Sequence, residues 1–412
     1  MTVLIKNIRQ LIQVRETNVT VVKGRDMKHL PILEDAYLLI EHDTIVEYGS
    51  MADCYDMDAD MVIDASGKLV LPTWCDSHTH LVYAGDRTQE FIDRLNGLSY
   101  EEIANRGGGI LNSAKQLQAV SEDELYEVSA KRLTEVIQMG TGAIEIKSGY
   151  GLTEDAELKM LRVIKRLKKD FPVKVKPTLL AAHAIPEEFK NDKDAYVDLV
   201  INEIIPAAAK KNLAEYIDVF CEVGYFDLED TERILKAGAA HRLIPKIHVN
   251  QFNAFGGVGL GVKYKALTVD HLEELNPEDI KALKNTKTMP VALPLCSYFL
   301  GIPYTDGRAI IDAGIPLAIA TDFNPGSSPS GNMNQAVSAA CIKMKLTPEE
   351  AINAATINGA YAIGVSNMYG SICRGKKANL IITHEIPSYQ HMFYDFGKDH
   401  INHVIINGEI FK

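Results

Sequence analysis

The spacing of apolar residues changes twice along the chain. Up to about residue 68 they fall in short runs, TVLIKNI, YLLIEHDTIVEYG and MVIDASGKLV, separated by turn residues, and this texture predicts β-structure. It returns after about residue 361, in GSICRGKKANLIITHE and DHINHVIINGEIF, where Asn407-Gly408 reads as a tight hairpin turn. The two ends are therefore expected to build one small β-sandwich domain from residues 1–68 and 361–412.

Between them, over residues 69–360, short apolar runs alternate with amphipathic stretches. Eight runs read as strands, at 69–75, 143–147, 173–182, 216–222, 245–249, 267–270, 288–294 and 316–321. That count and alternation predict a (β/α)8 TIM-like barrel of the α/β class, with a doubly wound sheet as the alternative. One helix carries both of its end signals: S-E-D-E from Ser121 is a capping box, and Gly140 follows the last turn. The long segment after the first strand contains Gly107-Gly108-Gly109, and is expected to fold over the barrel mouth as a lid.

Charge narrows the choice of partner. Lys and Arg number 43 against 55 Asp and Glu, a net charge of -12, and the basic residues form nothing denser than KRLKK at 165–169. Nucleic acid and anionic membrane are thereby excluded as expected partners. The opening MTVLIKNIRQ is broken by charges and no 18-residue apolar run occurs, so a cytoplasmic location without a membrane span is expected. Cys54, Cys75, Cys221, Cys296, Cys341 and Cys373 form no Cys-x-x-Cys pair, and read as reduced, mostly buried small residues.

Candidate chemistry collects where the strands end. His78 and His80 are two apart, so their side chains share a face at the end of the first strand. Alone, the pair is weak, since two polar residues often follow a strand. His248 closes the fifth strand, His271 follows the sixth and Asp322 the eighth, which brings four imidazoles and a carboxylate to the rim where barrel active sites sit. One divalent transition ion, zinc or iron, takes this mixed nitrogen and oxygen set. A dinuclear site would need a bridging group such as a carboxylated lysine after the fourth strand, where the chain reads DVFCEVG. Lys147, ending the second strand, reads as an internal salt bridge, and His271 as either a structural partner or a catalytic group. His183 is a further rim residue, whereas His29, His42, His241, His384, His391, His400 and His403 read as solvated surface.

Taken together, LPTWCDSHTHLVYAGDR, HVNQ at 248–251, VDH at 269–271 and ATDFNPGS at 320–327 resemble the metal-dependent amidohydrolase superfamily. HLVYAGDR, SYEEIANRGGGI, EIKSGYGL and TDFNPGSS resemble, more narrowly, its imidazolonepropionase family over essentially the whole chain. The resemblance implies a homodimeric hydrolase of histidine breakdown. With a metal-activated water it would open the ring C–N bond of 4-imidazolone-5-propanoate, a small molecule with a carboxylate tail, to N-formimidoyl-L-glutamate. It also implies that His78, His80, His248 and Asp322 hold the metal, with His271 or Asp322 carrying protons. Arg87, Tyr100, Tyr150, His183, Gln251, Asn324, Gly326 and Ser327 would surround the substrate.

Physical reasoning agrees for Arg87, whose guanidinium offers paired hydrogen bonds to a carboxylate, although a surface ion pair is the plainer role. The Gly-Tyr-Gly stretch at 149–151 would supply neutral donors on an adaptable loop. The turn from Asn324 to Ser328 either presents backbone N–H groups to an anion or is a plain turn. Gln251 stands where deaminase relatives carry a proton-transferring glutamate, so ring binding is its implied task. Another cyclic amidase or a deaminase on the same scaffold is the alternative function. A non-catalytic relative is expected to have lost ligands, and none is missing here.

Overall fold

In the computed structural model, which describes residues 1–55, 58–98, 102 and 108–412, consecutive residues at one point bond to different sheets. The N–H of Thr73 donates to the Asn379 carbonyl at 3.0 Å, and that of Trp74 to the Gly140 carbonyl at 2.9 Å. Before this point run β1 (Thr2–Ile12), β2 (Ile32–Glu41), β3 (Thr44–Ser50), β4 (Met61–Asp64) and β5 (Lys68–Pro72). After it come β6 (Trp74–Asp76), β7 (Thr141–Lys147), β8 (Lys174–Ala182), β9 (Tyr216–Cys221), β10 (Ile244–Val249), β11 (Thr268–His271), β12 (Met289–Ala292) and β13 (Ala318–Ile319). The chain then supplies β14 (Leu380–Glu385), β15 (Ile401–Ile406) and β16 (Glu409–Ile410).

The terminal strands form one mixed sheet in the order β16-β15-β14-β5-β1-β2-β3, with β4 also pairing β1. It folds back on itself where Thr44 pairs with Lys377 and the Ala378 N–H reaches the Asp43 carbonyl at 2.8 Å. Its two halves thus play the part of the expected sandwich layers. They enclose an apolar core that includes Val3, Ile5, Ile8, Leu38, Ile40, Leu380, Ile382 and Ile405. Asn407 and Gly408 turn β15 into β16 with φ of 51° and 80°, as the hairpin reading requires.

Strands β6 to β13 pair in sequence order, every neighbour parallel. The barrel closes between its first and last strands through a short seam. Thr79 pairs with Phe323, the Asp322 N–H donates to the His78 carbonyl at 3.0 Å and the His80 N–H to the Phe323 carbonyl at 2.8 Å. Asp76 reinforces the seam, its carboxylate accepting from the Thr321 hydroxyl at 2.6 Å and N–H at 3.1 Å. Residues 69–72, expected to begin the first barrel strand, instead belong to the terminal sheet. Both sheets bury this apolar run, so its composition did not mark the crossing.

Amphipathic helices cover the barrel. Glu122–Gln138 begins at the predicted capping box, with both reciprocal bonds between Ser121 and Glu124 formed, and Gly140 follows it with φ of 98°. The segment between β6 and β7 holds helices Thr88–Leu95 and Ile110–Ala119, anchored by Gly109 N–H to Glu90 at 2.7 Å. Gly107 and Tyr100, two of the sequence candidates here, lie outside the described residues. All six cysteines are free. Among the described residues no helix is long and apolar enough to cross a membrane. One histidine departs from expectation: His400 is buried beside His391, its Nε2 3.0 Å from the Asp395 carbonyl oxygen.

Candidate active site

The seam that closes the barrel also positions the candidate metal ligands. Asp322 Oδ1 lies 3.5 Å from His78 Nε2 and 3.6 Å from His80 Nε2, and His80 Nε2 lies 3.4 Å from His248 Nε2. A tetrahedral ion with bonds of about 2.0–2.1 Å holds its ligands about 3.4 Å apart, and these three separations are of that size. His78 Nε2 is buried without a hydrogen-bond partner among the described residues. An orphaned, fully buried imidazole nitrogen facing a carboxylate and two more imidazoles fits a metal ligand. Asp322 and His271 also hold left-handed backbone conformations, with φ of 55° and 87°, a strain that concentrates at functional sites.

Three of the rings are oriented from behind by carboxylates. His78 Nδ1 is 2.6 Å from Asp270, His248 Nδ1 is 3.0 Å from Asp218, and His271 Nδ1 is 3.3 Å from Glu273. Such partners fix the tautomer and leave the other nitrogen for a ligand bond. Burial pushes His78 and His80 well below the ordinary histidine value, and His248 down to about 4 against the opposing pull of Asp218. All three are therefore neutral, as metal binding requires. Burial would lower His271 too, but Glu273, Asp322 and Asp270 outweigh it and raise its pKa. Asp322 is lifted to about 6 by burial, partly offset by His271 and Ser327.

Beneath the rings lies a layer of buried charge. Lys147 Nζ contacts Glu145 and Asp218 at 2.8 Å each and Asp270 at 3.7 Å, the internal salt bridge expected of it. Burial alone would lower this lysine, but Asp218, Glu145 and Asp270 raise it instead. Glu145 also pairs with Lys246, whose ammonium donates to the Ser77 carbonyl at 2.9 Å. Of these groups Lys147 alone is expected from the sequence. The missed signal was visible: Glu145, Asp218, Lys246 and Asp270 each interrupt an apolar barrel strand, and a charge there must be paired.

Above the rings opens a cavity of about 390 Å³. His80, Arg87, Tyr150, His183, Gln251, Asn324, Gly326, Ser327, His248, His271 and Asp322 all border it, and His78 lies below among the candidate ligands. Arg87 donates from Nε to Ser113 Oγ at 3.0 Å, with Glu90 at 3.7 Å. Its guanidinium rests on Gly326, where any β-carbon would collide with it. His183 stacks on His80 with ring centres 5.0 Å apart, Nδ1 is 3.0 Å from the Gly149 carbonyl oxygen, and burial with His248 lowers its pKa to about 3. Gln251 donates to Cys296 Sγ at 3.4 Å. Arg94, Glu90, Phe220 and Phe252 are lining residues that no sequence motif announced.

One expectation about backbone donors needs correction, and one open choice is decided. The N–H groups of Gly149, Gly151 and Leu152 all donate to buried Glu157, at 3.0, 2.7 and 2.9 Å, so the Gly-Tyr-Gly stretch is pinned rather than adaptable. Likewise the N–H groups of Gly326 and Ser327 are both taken by Asn324 Oδ1 at 2.8 Å, which makes the segment a self-capped turn and not an anion nest. Asn324 Nδ2 and Ser327 Oγ in turn reach the Asp322 carbonyl at 2.6 Å and carboxylate at 3.1 Å. The turn thus holds Asp322 in place.

Known proteins are similar to this chain in sequence and in fold. The Amidohydrolase family model matches residues 267–411. Imidazolonepropionase of Christiangramia forsetii is 65% identical over 410 residues, covering 100% of both chains, and that of Flavobacterium johnsoniae is 61% identical with the same coverage. Among solved structures, E. coli guanine deaminase superposes with a TM-score of 0.76 at 14% identity, covering 100% of this chain and 98% of its own. A mutant of atrazine chlorohydrolase TrzN from Arthrobacter aurescens TC1, complexed with zinc and atraton, gives 0.71 at 16% identity, covering 99% and 94%. The distant structures share the fold, and the close sequences share the whole chain. By that end-to-end identity, the chain belongs to the imidazolonepropionase family of amidohydrolases.

Proposed function

We propose that the cavity binds 4-imidazolone-5-propanoate and hydrolyses its ring C–N bond to give N-formimidoyl-L-glutamate, with one zinc or iron ion held by His78, His80, His248 and Asp322. The observation that carries the metal-dependent part is the separation of 3.4–3.6 Å between Asp322 and His78, Asp322 and His80, and His80 and His248, beside an orphaned His78 Nε2. When bound, such an ion lowers the pKa of a water and polarises a carbonyl.

The protein's own groups supply the rest. Asp322 and His271 border the same space and have raised pKa values, so one can take a proton from the attacking water and the other return one to the departing ring nitrogen. Arg87 sits at the cavity edge, held through Nε by Ser113, where its guanidinium can receive the propionate, and Tyr150, His183 and Gln251 present neutral polar groups to the ring. An amide at Gln251 cannot carry protons, which favours ring opening over deamination.

Metal analysis coupled to an ultraviolet assay of imidazolone consumption tests the reading. Metal-bearing protein should consume the imidazolone and release N-formimidoyl-L-glutamate without ammonia; metal-bearing protein inactive on it, or one that liberates ammonia, would overturn the reaction. Arg87→Met should raise KM about ten- to a hundredfold, the worth of a hydrogen bond to a charged group. A homodimer is the assembly proposed with this activity, and sedimentation velocity checks it.

A further inference from the structure

We propose that the chain holds a second, inhibitory transition-metal site beside the first, built by His271, Glu273 and Cys296. Donor atoms of these three residues lie within 4.8 Å of one another, and all three residues are buried. They come from separate places: the end of β11, the turn after it, and helix Pro294–Leu300 beyond β12. Glu273 carries the signal that points to a ligand. Its Oε1 lies 3.3 Å from His271 Nδ1 and accepts from Ser297 Oγ at 3.5 Å, whereas Oε2 is buried with no hydrogen-bond partner among the described residues. A lone carboxylate oxygen out of water is costly, and a cation satisfies it.

Donor chemistry selects the ion. A thiolate, an imidazole and a carboxylate suit zinc or cobalt, and the sulfur disfavours magnesium and calcium. On binding, the Cys296 thiol forms its sulfur–metal bond and releases its proton to solvent. His271 also groups with His78 and His248, so an ion on Glu273 and Cys296 would sit next to the first site and immobilise the His271 ring. Binding rests on this geometry alone. Inhibition rests on the proton-transfer role of His271 proposed above.

The test starts from enzyme carrying one equivalent of zinc and titrates it with cobalt(II). The first site contains no sulfur, so a thiolate-to-cobalt charge-transfer band reports Cys296. A second equivalent should bind with that band while activity falls. Cys296→Ala should lose the band, bind the second ion at least about tenfold more weakly and, measured against its own one-equivalent activity, resist inhibition. Glu273→Gln, which keeps the thiol, should also weaken the second equivalent. Failure of a second equivalent to bind, or equal binding by Cys296→Ala, would overturn the site. A band with unchanged activity would uphold the site and overturn both the inhibition and the proton-transfer role of His271.

Discussion

Two regions of this molecule are equally shielded from water and are held together in opposite ways. The core of the terminal sheet is hydrocarbon, with Ile5, Leu38, Leu380 and Ile405 all 0% exposed. The floor of the barrel mouth is charge, with Glu145, Lys147, Asp218, Lys246 and Asp270 also 0% exposed. Burying apolar surface stabilises at roughly 25 cal/mol per Å² and tolerates imprecise geometry. A buried ion pair about breaks even against its desolvation, so its worth lies in where it puts its neighbours. Here a single ammonium, that of Lys147, reaches both carboxylates that orient His78 and His248. The first region should therefore govern stability, and the second should govern chemistry.

The largest effect is expected where the floor meets the cavity. His271→Ala should lower kcat about 10²–10⁴-fold, the usual range for a lost acid–base group, while metal content and substrate affinity change far less. Steady-state kinetics with metal analysis checks this, and near-normal turnover would sink the role. Next comes Lys147→Met, which leaves Asp218, Asp270 and Glu145 short of a counter-charge. It should cost about 3–5 kcal/mol of stability and, by loosening two ligand rings, about ten- to a hundredfold in metal affinity measured against a chelator. Lost stability with unaltered metal affinity would reduce the charged floor to scaffolding.

The hydrocarbon region should respond differently. Leu380→Ala removes a fully buried side chain from β14 and should cost about 2–5 kcal/mol in urea unfolding, with kcat/KM of the folded enzyme unchanged. A change in metal affinity would show that the two regions are coupled after all.

The same contrast explains what could be read before any coordinates. Strand ends are marked by local pattern, so His78, His80, His248 and Asp322 are expected at one rim from spacing alone; His78, His80 and Asp322 form one cluster there, with His248 3.4 Å from His80. Hydrogen-bond ownership is not local. Nothing in Gly149-Tyr150-Gly151 shows that Glu157, a turn of helix away, claims its N–H groups, nor does Asn324 announce that it caps its own turn. The run at 69–72 is equally apolar in either sheet, which is why the crossing at Thr73 went unmarked. Charges inside strands β7, β9, β10 and β11 signal pairing, but which carboxylate meets which ring depends on the packing inside the barrel: His248 is in register with Asp270, yet its ring meets Asp218 and Asp270 meets His78.

The smallest expected effect tests the claim that the terminal sheet matters for stability alone. Gly408 has φ of 80°, a conformation that L side chains rarely adopt, and a β-carbon there would run into the His42 carbonyl oxygen in the turn between β2 and β3. That contact is where the sheet folds back on itself, so Gly408→Ala must strain its own backbone and push two hairpins apart. A cost of about 1–3 kcal/mol follows from one residue held in a disfavoured region. Asn407→Gly at the neighbouring position, where φ is already 51°, should cost less, because glycine accepts that angle. Both variants should shift the urea midpoint in that order while leaving KM, kcat and metal content as they were. Altered KM in Gly408→Ala would mean that strain at the back of the terminal sheet reaches the cavity, and the division between a region for stability and a region for chemistry would fail.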